Sequence, residues 1–389
     1  MRWLLINLRQ ASKYRTDKLF WAVEKYIHMK KFLIVAPFPP PVHGEALVSQ
    51  LVAQFLKNKN TVNFNQKTIG YTARFGLFDL MNEVLGICKV LVLIPFSDVL
   101  YLSLKRSLLG SFKDSLFINF ASLCHKKIFA HVHGTELDRY HSKLPSVLAR
   151  YFRFTYSQLS KVFVPTLFTQ KSIEGWIDSR KIIVISNPME RPAVQKKTFN
   201  LNEPLKIYFF SHLLPEKGFD LFVELAQTAL TARKNWQFYC FAEKGVIKKT
   251  PPSNLEVRPT FKNADEKYKT LSEFDVFVFP TKLAEAQGIV LLEAMSLGLT
   301  MIANPLGGVP ETMAEGLNGF FVKENTVSDY LEILSKIDNE REVLQKVGQA
   351  NLKTYAEKFD PAYFFMKLKE AMDLKNEEVD IRFLNKENK

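Results

Sequence analysis

The chain has 389 residues, 47% of them hydrophobic and 24% charged, which is enough for two or three domains with full cores. Its three cysteines, Cys88, Cys124 and Cys240, lie far apart without metal-ligand spacing, which argues against a disulfide framework and fits a reducing compartment. Residues 1–190 carry 26 Lys and Arg against 12 Asp and Glu, whereas residues 191–389 carry 27 against 28. The basic first half predicts an anionic partner: a membrane surface, a phosphorylated acceptor or a nucleic acid.

Residues 1–30 have the pattern of a basic amphipathic helix, because apolar residues recur at helical spacing among basic ones. The recurring residues are Leu19, Phe20, Val23, Tyr26 and Ile27. Such a helix either lies on an anionic membrane or packs on the protein with a solvated basic face, and the sequence does not choose between them.

The longest apolar region, residues 84–104, is interrupted by Lys89, Pro95 and Asp98. We interpret it as a helix followed by a strand and not as a membrane span. No signal peptide is evident at the beginning of the chain. These features predict a cytoplasmic protein that is either free or peripheral on the inner face of the membrane.

Strands and helices alternate through residues 31–190, which predicts a first domain with a parallel sheet. The predicted strands are 31–36, 62–68, 98–104, 127–132, 162–165 and 182–185. The predicted helices are 45–56, 111–124, 142–159 and one that ends near residue 176.

Two positions in this domain follow predicted strands, where ligands bind in open α/β sheets. Gly44 opens the first helix, a geometry that lets backbone approach a phosphate, although a proline-stiffened turn explains the same residues. His133 follows the strand 127–132 and suits hydrogen bonding to a sugar or proton transfer; a structural histidine is the alternative. His131 leaves the strand on the same side, so geometry does not separate the two histidines.

A polar segment, residues 191–204, reads as a linker to a second domain at 205–360. This domain begins with a strand, 205–210, which runs through Ser211 and His212 to Lys217-Gly218 and a helix from residue 219. A lysine just before a helix can neutralise a diphosphate as a point charge, whereas an ordinary surface lysine is the alternative.

An apolar strand, residues 275–280, stops at a proline, and Gly288 then opens a helix that is apolar on nearly every face. Such a helix is buried. Glu293 lies within it and needs a polar partner, which is either a ligand or a Lys or Arg. Glu285 lies beside the free N–H groups of its first turn or is an ordinary loop residue.

The end of the chain is helical in pattern, with helices that begin near residues 328, 340 and 361. The last fifteen residues are highly charged and are expected to be loosely ordered.

The region from Asp275 to Val322 resembles the donor-binding half of the retaining GT-B glycosyltransferases. The resemblance is closest to their family four type, the glycosyl transferases group 1, which includes polysaccharide and lipopolysaccharide biosynthesis enzymes. It rests on the strand 275–280, Glu285-x7-Glu293, Ala294-Met295, the strand 300–303, Gly307-Gly308-Val-Pro-Glu311 and Gly316-Leu-Asn-Gly319. It implies a GT-B α/β fold, in which two Rossmann-like doubly wound domains face a central cleft. It also implies that the helix 361–374 crosses back to the first domain.

The resemblance implies roles for individual residues. It makes His133 a contact of the transferred sugar, Glu285 the residue that holds sugar hydroxyls near the reacting carbon, and Lys217 the cation on the leaving diphosphate. Glu293 would hold the ribose diol. The full set of implied donor-binding residues is Gly44, Ser211, His212, Lys217, Gly288, Ile289 and Glu293.

The chain departs from the family pattern at three positions. His43 stands in place of the first glycine of a pair in the first loop, so only Gly44 is carried over. Ser211 and His212 stand where Gly and Arg are usual. A histidine is only partly cationic at pH 7 and cannot make the bidentate contact of an arginine. The stabilisation of the diphosphate therefore depends more on Lys217 and on helix-end amides.

These features predict a retaining hexosyltransferase-type glycosyltransferase. It would use a nucleotide diphosphate sugar as co-substrate and a saccharide or lipid-linked acceptor, in cell-surface polysaccharide assembly. No metal is expected, because no Asp-x-Asp motif occurs and Glu136-Leu-Asp138 is the nearest pattern. The alternatives are a catalytically weak, regulatory nucleotide-sugar-binding protein of the same fold, suggested by His212, and a GT-B epimerase. Nucleic-acid binding rests on charge alone and is not expected.

Overall fold

The structure is a computed structural model that describes residues 29–40, 44–57, 59–63, 77–105, 107–135, 137–190, 192, 194, 199, 202–243, 247 and 250–384. The predicted N-terminal helix, most of the linker 191–204, His43 and Glu136 lie outside these residues. Two parallel sheets of six strands organise the described chain, with helices on both faces of each sheet. No helix in this part is both long and apolar enough to cross a membrane.

The first sheet has the strand order β2-β1-β3-β4-β5-β6, and all its neighbours are parallel. Alternate residues of its strands enter two cores, one on each face, which is why the strands read as continuous apolar runs. Its strands are β1 (Phe32–Ala36), β2 (Lys59–Asn63), β3 (Val99–Ser103), β4 (Lys127–His131), β5 (Lys161–Val164) and β6 (Ile182–Val184). Its helices are α1 (Gly44–Phe55), α2 (Leu77–Leu93), α3 (Leu108–Leu123), α4 (Leu137–His141), α5 (Ser146–Ser157) and α6 (Leu167–Ile173).

Two local predictions for this domain place the beginning of an element wrongly. The second strand begins at Lys59 and not at residue 62; it lies at the sheet edge, and only Val62 is buried, so no apolar run marks its beginning. Residues 64–68 of the predicted strand lie outside the described residues. The predicted helix 142–159 is preceded by a separate short helix, α4, and begins only after Pro145. Proline has no backbone N–H with which to continue a preceding helix.

The second sheet has the order β12-β11-β10-β7-β8-β9 and is also parallel throughout. Its strands are β7 (Leu205–Phe209), β8 (Trp236–Phe241), β9 (Leu255–Arg258), β10 (Val276–Phe279), β11 (Thr300–Ala303) and β12 (Gly319–Phe321). Its helices are α7 (Phe219–Thr231), α8 (Ala264–Leu271), α9 (Ile289–Ser296), α10 (Val309–Thr312), α11 (Val327–Asn339) and α12 (Glu342–Lys358). Helix α8 was not predicted from the sequence, because this eight-residue helix buries only Tyr268 and Leu271.

Each sheet has one place where the chain reverses the direction in which strands are added. It lies between β1 and β3 in the first sheet and between β7 and β10 in the second. In open α/β sheets, ligands bind outside the carboxyl ends of the strands at such a point. The loops that follow β7 and β10 carry Lys217 and Glu285, and Gly44 follows β1.

The last helix, α13 (Pro361–Ala371), packs against the first domain, as the resemblance implied. Phe365 is fully buried there, and its ring is stacked on Phe55 with the centroids 4.4 Å apart. The expectation that the final fifteen residues are loose is wrong for the part that the structure describes. Val379 is fully buried and pairs with Leu56, because an apolar residue within the charged tail completes the same core.

Candidate active site

The loops after β7 and β10 come close enough to join Lys217 to Glu285. Gly218 has φ of +82°, and a Cβ atom there would lie 2.1 Å from the carbonyl oxygen of Pro280. Because only glycine permits this approach, the preceding Lys217 reaches across, and its Nζ lies 2.5 Å from Glu285 Oε1. The two side chains are 20% and 19% exposed, so the ion pair is reachable by a ligand but largely shielded from water.

The backbone and side chain of Glu285 are both held in place. Its carbonyl oxygen accepts a hydrogen bond from the N–H of Gly308 at 2.7 Å. The Thr281 hydroxyl donates to the same Oε1 that Lys217 contacts, at 3.3 Å. The Gly307-Gly308 pair of the sequence pattern therefore positions the carboxylate that the resemblance places at the sugar.

His212 lies in the same loop as Lys217 and is exposed, while Ser211 beside it is half-buried. The burial of part of its ring and the nearby Lys217 ammonium lower the pKa of His212, and the Glu285 carboxylate partly opposes them. The imidazole is therefore mainly neutral at pH 7 in the free protein, which is a further departure from the permanent charge of an arginine.

Glu293 is 4% exposed and pairs with Lys267 of α8, the helix that the sequence did not predict. Lys267 Nζ lies 2.6 Å from Glu293 Oε1. The other carboxylate oxygen, Oε2, is equally buried and has no hydrogen-bond partner among the described residues. Of the two interpretations of Glu293, the pairing with a lysine accounts for Oε1. Oε2 can still accept a hydrogen bond from a ligand.

Gly44 brings the first domain into contact with the beginning of α9. A Cβ atom at Gly44 would lie 2.8 Å from Cγ1 of Ile289, and Gly288, with φ of +80°, precedes that helix. The N-termini of α1 and α9 therefore meet across the domain boundary. Both ends carry the partial positive charge of a helix N-terminus, which attracts anions.

The structure separates the two histidines at the end of β4. His131 is fully buried, its Nδ1 lies 2.7 Å from the Tyr101 hydroxyl, and burial with the nearby His133 holds its pKa well below the ordinary value. His133 is only half-buried. Thr135, two residues on, donates to the carbonyl of Ala284 at 3.2 Å, so this segment faces the loop that carries Glu285.

The contacts that join the two domains were not predicted from the sequence. Glu311 accepts hydrogen bonds from the N–H groups of Leu167 and Phe168, both at 2.7 Å, at the beginning of α6. The Thr166 hydroxyl donates to the carbonyl of Ala286 at 2.7 Å. A helix that starts after a threonine needs acceptors for its first N–H groups. The threonine before α6 was therefore the sequence feature that could have predicted such contacts.

A buried charge cluster at the switch point of the first sheet was also missed. Glu45 Oε1 accepts from the Ser103 hydroxyl and lies 3.1 Å from Lys105 Nζ. Asp114 accepts from the N–H of Lys105 at 2.7 Å, and burial raises the pKa of Asp114 to about 6. These residues are up to 69 positions apart, so no local pattern joins them. They place polar groups directly beside Gly44.

The candidate metal pattern Glu136-Leu-Asp138 is only half described. Asp138 Oδ1 accepts from the indole N–H of Trp176 at 3.0 Å. Among the residues that the structure describes, no three His, Cys, Asp or Glu side chains are grouped so that they could hold a metal ion.

Residues 190–354 match the model of the family described as glycosyl transferases group 1. The second domain belongs to this family. The match covers the loops that carry Lys217, Glu285 and Glu293, and thus the whole second-domain part of the site. All the residues to which the resemblance assigns donor binding lie within this match except Gly44, which belongs to the first domain.

Two curated relatives of the chain are glycosyltransferases by name. One is the uncharacterized glycosyltransferase MJ1178 of Methanocaldococcus jannaschii, 22% identical over 218 residues, which are 55% of this chain and 60% of that one. The other is the amylovoran biosynthesis glycosyltransferase AmsK of Erwinia amylovora, 24% identical over 237 residues, 54% of this chain and 58% of that one. The chain thus spans less than two thirds of the length of these relatives.

A solved structure extends the likeness beyond the group 1 domain. Anabaena Alr3699/HepE, crystallised in complex with UDP-glucose, superposes with a TM-score of 0.66 at 15% identity. The match covers 89% of this chain and all of that one. The fold is therefore that of the GT-B glycosyltransferases, as the resemblance implied.

Proposed function

We propose that the protein transfers a sugar from a nucleotide diphosphate sugar to a saccharide or lipid-linked acceptor. The observation that carries the proposal is the position of the Lys217–Glu285 ion pair at the switch point of the group 1 domain. The N-termini of α1 and α9 meet in the same region, where the carboxyl edges of the two sheets face each other. This region, the cleft, offers cations and amides for a diphosphate and a carboxylate for sugar hydroxyls.

Donor binding in this proposal exchanges the partner of Lys217. The ammonium leaves Glu285 for the diphosphate, and Glu285 then accepts hydrogen bonds from the sugar hydroxyls. Both side chains of the ion pair are about one-fifth exposed. The diphosphate takes the place of the Glu285 carboxylate as the anion beside Lys217, so the exchange leaves no buried charge unpaired. The Thr281 hydrogen bond keeps the carboxylate in place meanwhile.

The transfer step breaks the bond between the anomeric carbon and the diphosphate oxygen and forms a bond to the acceptor oxygen. The acceptor's proton passes to the leaving phosphate, with retention of configuration at the anomeric carbon. Lys217 and the helix-end amides stabilise the charge that develops on the diphosphate, so no metal is required. His133 contacts the transferred sugar from the first domain.

The first domain is proposed to bind the acceptor, because its basic excess and the Glu45–Lys105 cluster lie on that side of the cleft. An amylovoran biosynthesis enzyme is among the relatives, which supports a role in cell-surface polysaccharide assembly. We propose that the protein acts in such assembly at the inner face of the membrane. Binding of a nucleotide sugar without transfer is the second candidate function, favoured by the lowered pKa of His212.

A panel of nucleotide diphosphate sugars, with and without EDTA, tests the proposal by thermal shift and hydrolysis. We expect one donor to raise the Tm of the wild type and to be slowly hydrolysed even with chelator. The double variant Glu293→Gln/Lys267→Met should lose the shift, since Glu293 holds the ribose diol. Removing both charges avoids leaving Lys267 buried alone, which would cost about 3–5 kcal/mol.

The matched control is Glu332→Gln/Lys336→Met, an exposed ion pair on α11 with a separation of 2.6 Å, which should leave the shift unchanged. Stabilisation without turnover, even after addition of membrane lipid extract, would favour the non-transferring binder. The absence of stabilisation by any donor would refute the assignment of the site.

The affinity for UDP-glucose is expected to rise as the pH falls from 7 towards 5.5. The pKa of His212 is lowered in the free protein, and a bound diphosphate raises it, so binding takes up a proton in this window. One proton changes the affinity by at most about tenfold per pH unit. UDP-glucose is the right probe, because the terminal phosphate of UDP itself titrates near pH 6.

Isothermal titration calorimetry in buffers of different ionisation enthalpy measures this proton uptake. In a His212→Gln variant the pH dependence should disappear, while the affinity at pH 7.5 stays within about threefold of the wild type because the neutral side chains are similar in polarity. An unchanged pH dependence in the variant would assign the proton to another group.

A further inference from the structure

The outward side of the helices α2, α3 and α5 is unusually apolar for the outer layer of an α/β domain. Helices in such a layer normally turn polar residues to the solvent. Here large apolar side chains point outward on all three helices and on the turn Ile94–Phe96 that follows α2. The six most exposed are Val92, Phe96, Leu109, Leu123, Val147 and Phe154, each 65–78% exposed. We call this surface the apolar face.

The apolar face is one continuous surface. Phe112 of α3 stacks against Tyr151 of α5, with the ring centroids 6.4 Å apart. Lys113 of α3 forms an ion pair with Glu83 of α2 at 2.5 Å. Since each pair of neighbouring helices is in contact, the exposed side chains form a single patch and not three scattered ones. A patch of this kind on a folded domain marks a site of association.

The charges around the apolar face are mainly basic. Arg150 of α5 and Lys89 of α2 are exposed. Arg153 of α5 is also exposed, but its guanidinium lies over the Trp176 ring and donates to the carbonyl of Gly175. Within the described helices, α5 contains no acidic residue, and the single acidic residue of α3, Asp114, is buried beneath the surface. The other acidic residues of these described helices are Asp79 and Glu83 in the first half of α2, and Glu83 pairs with Lys113. Asp98, which follows the turn Ile94–Phe96, is exposed and accepts a hydrogen bond from the N–H of Lys31.

We propose that the apolar face docks on an anionic lipid bilayer. The apolar side chains enter the boundary between headgroups and acyl chains, while Lys89 and Arg150 contact the lipid phosphates. No helix of the described chain is long and apolar enough to span a bilayer.

The same charges argue against two other covers for this surface. A second copy of the chain, paired by a two-fold axis, would place the basic α5 helices against each other. Residues 1–28 carry six Lys and Arg against two acidic residues, so they too would bring like charge. An anionic membrane surface is complementary to all of these groups.

The geometry links the docked surface to the cleft. Leu109 lies at the beginning of α3, directly after the carboxyl end of β3, and Ser103 and Lys105 precede it by a few residues. A bilayer on the apolar face therefore approaches the acceptor side of the cleft at that end. On the proposed function, this is where the headgroup of a lipid-linked acceptor enters. The link to the acceptor rests on that function, whereas the docking does not.

Co-sedimentation of the full chain with vesicles tests the docking without reference to activity. The vesicles are phosphatidylcholine alone and phosphatidylcholine mixed with phosphatidylglycerol. The test variant Leu109→Ser/Leu123→Ser/Phe154→Ser removes three exposed side chains of the apolar face. The control Leu230→Ser/Val257→Ser/Leu317→Ser removes three exposed apolar side chains of the second domain, 37–52% exposed. Circular dichroism and melting curves confirm that both remain folded.

We expect the wild type and the control to bind the anionic vesicles, and the test variant to bind them at least about tenfold more weakly. Binding should also weaken with added salt and in Lys89→Gln/Arg150→Gln. Equal binding by the test variant, or no binding of the wild type to anionic vesicles, would overturn the proposal. So would a wild-type dimer that the test variant turns into a monomer, because a second copy would then cover the face. If the wild type bound anionic vesicles but did not bind UDP-glucose, the proposed function would be refuted and the docking would not.

Discussion

Replacing Lys217 with methionine is expected to lower kcat for sugar transfer by about 10²–10³-fold, which corresponds to roughly 3–4 kcal/mol of transition-state stabilisation. The lysine is the side-chain cation that already contacts Glu285 at 2.5 Å, and His212 next to it is mainly neutral. Methionine keeps the length and volume of the side chain, so the expected effect comes from the charge. Steady-state kinetics with the donor identified by the panel, together with the Kd of UDP, measures it.

The neighbouring Lys282 provides the control for this substitution. It lies in the adjacent loop and pairs with Asp220 at 3.1 Å, but the two side chains are 46% and 56% exposed. Lys282→Met should therefore change kcat less than about twofold, because exposed ion pairs contribute little. If Lys217→Met kept kcat within threefold of the wild type, the diphosphate would be stabilised by the helix N-termini alone.

Truncation of Phe365 to alanine is expected to lower the free energy of unfolding by about 3–5 kcal/mol. The side chain is fully buried and stacks on Phe55, with Phe364 and Phe383 at ring-centroid distances of 5.1 and 5.0 Å. Its loss leaves a cavity in a core shared by the first domain and the last helix. Denaturant unfolding, followed by both fluorescence and circular dichroism, measures the change and shows whether the transition is two-state.

Met366, the next residue of the same helix, is 50% exposed. Met366→Ala should change the free energy of unfolding by no more than about 0.5 kcal/mol, as is usual for surface positions. A loss below 1 kcal/mol for Phe365→Ala would mean that the helix is not part of the cooperative core of the first domain.

Sequence patterns predicted the sheets well where the strands are buried on both faces. Strands such as β1 and β10 are uninterrupted apolar runs, because helices cover both sides of them. The patterns failed at the beginning of the edge strand β2, in the short helix α8 and in the tail around Val379. In each case the structure depends on one or two buried side chains and on a distant partner, which local periodicity does not contain.

The sequence predicted individual residues of the candidate site but not the contacts between them. The loops after β7 and β10 contain Lys217 and Glu285 as predicted, yet their ion pair depends on the close approach at Gly218. The sequence offered a lysine or arginine as a partner of Glu293 and could not select Lys267, since the helix that carries it was missed. His131 and His133 were indistinguishable until the Tyr101 hydroxyl placed one of them in the interior.

The packing of α13 on the first domain has a consequence for the synthesis of the protein. Phe55, Ile34 and Val48 of the first domain are covered by Phe365 and Leu368, more than 300 residues later in the chain. The ribosome must therefore translate the chain as far as Leu368 before this core can be completed. By then, most of the first domain has already left the ribosome. The nascent first domain exposes apolar surface during this interval, which makes it a natural client for chaperones.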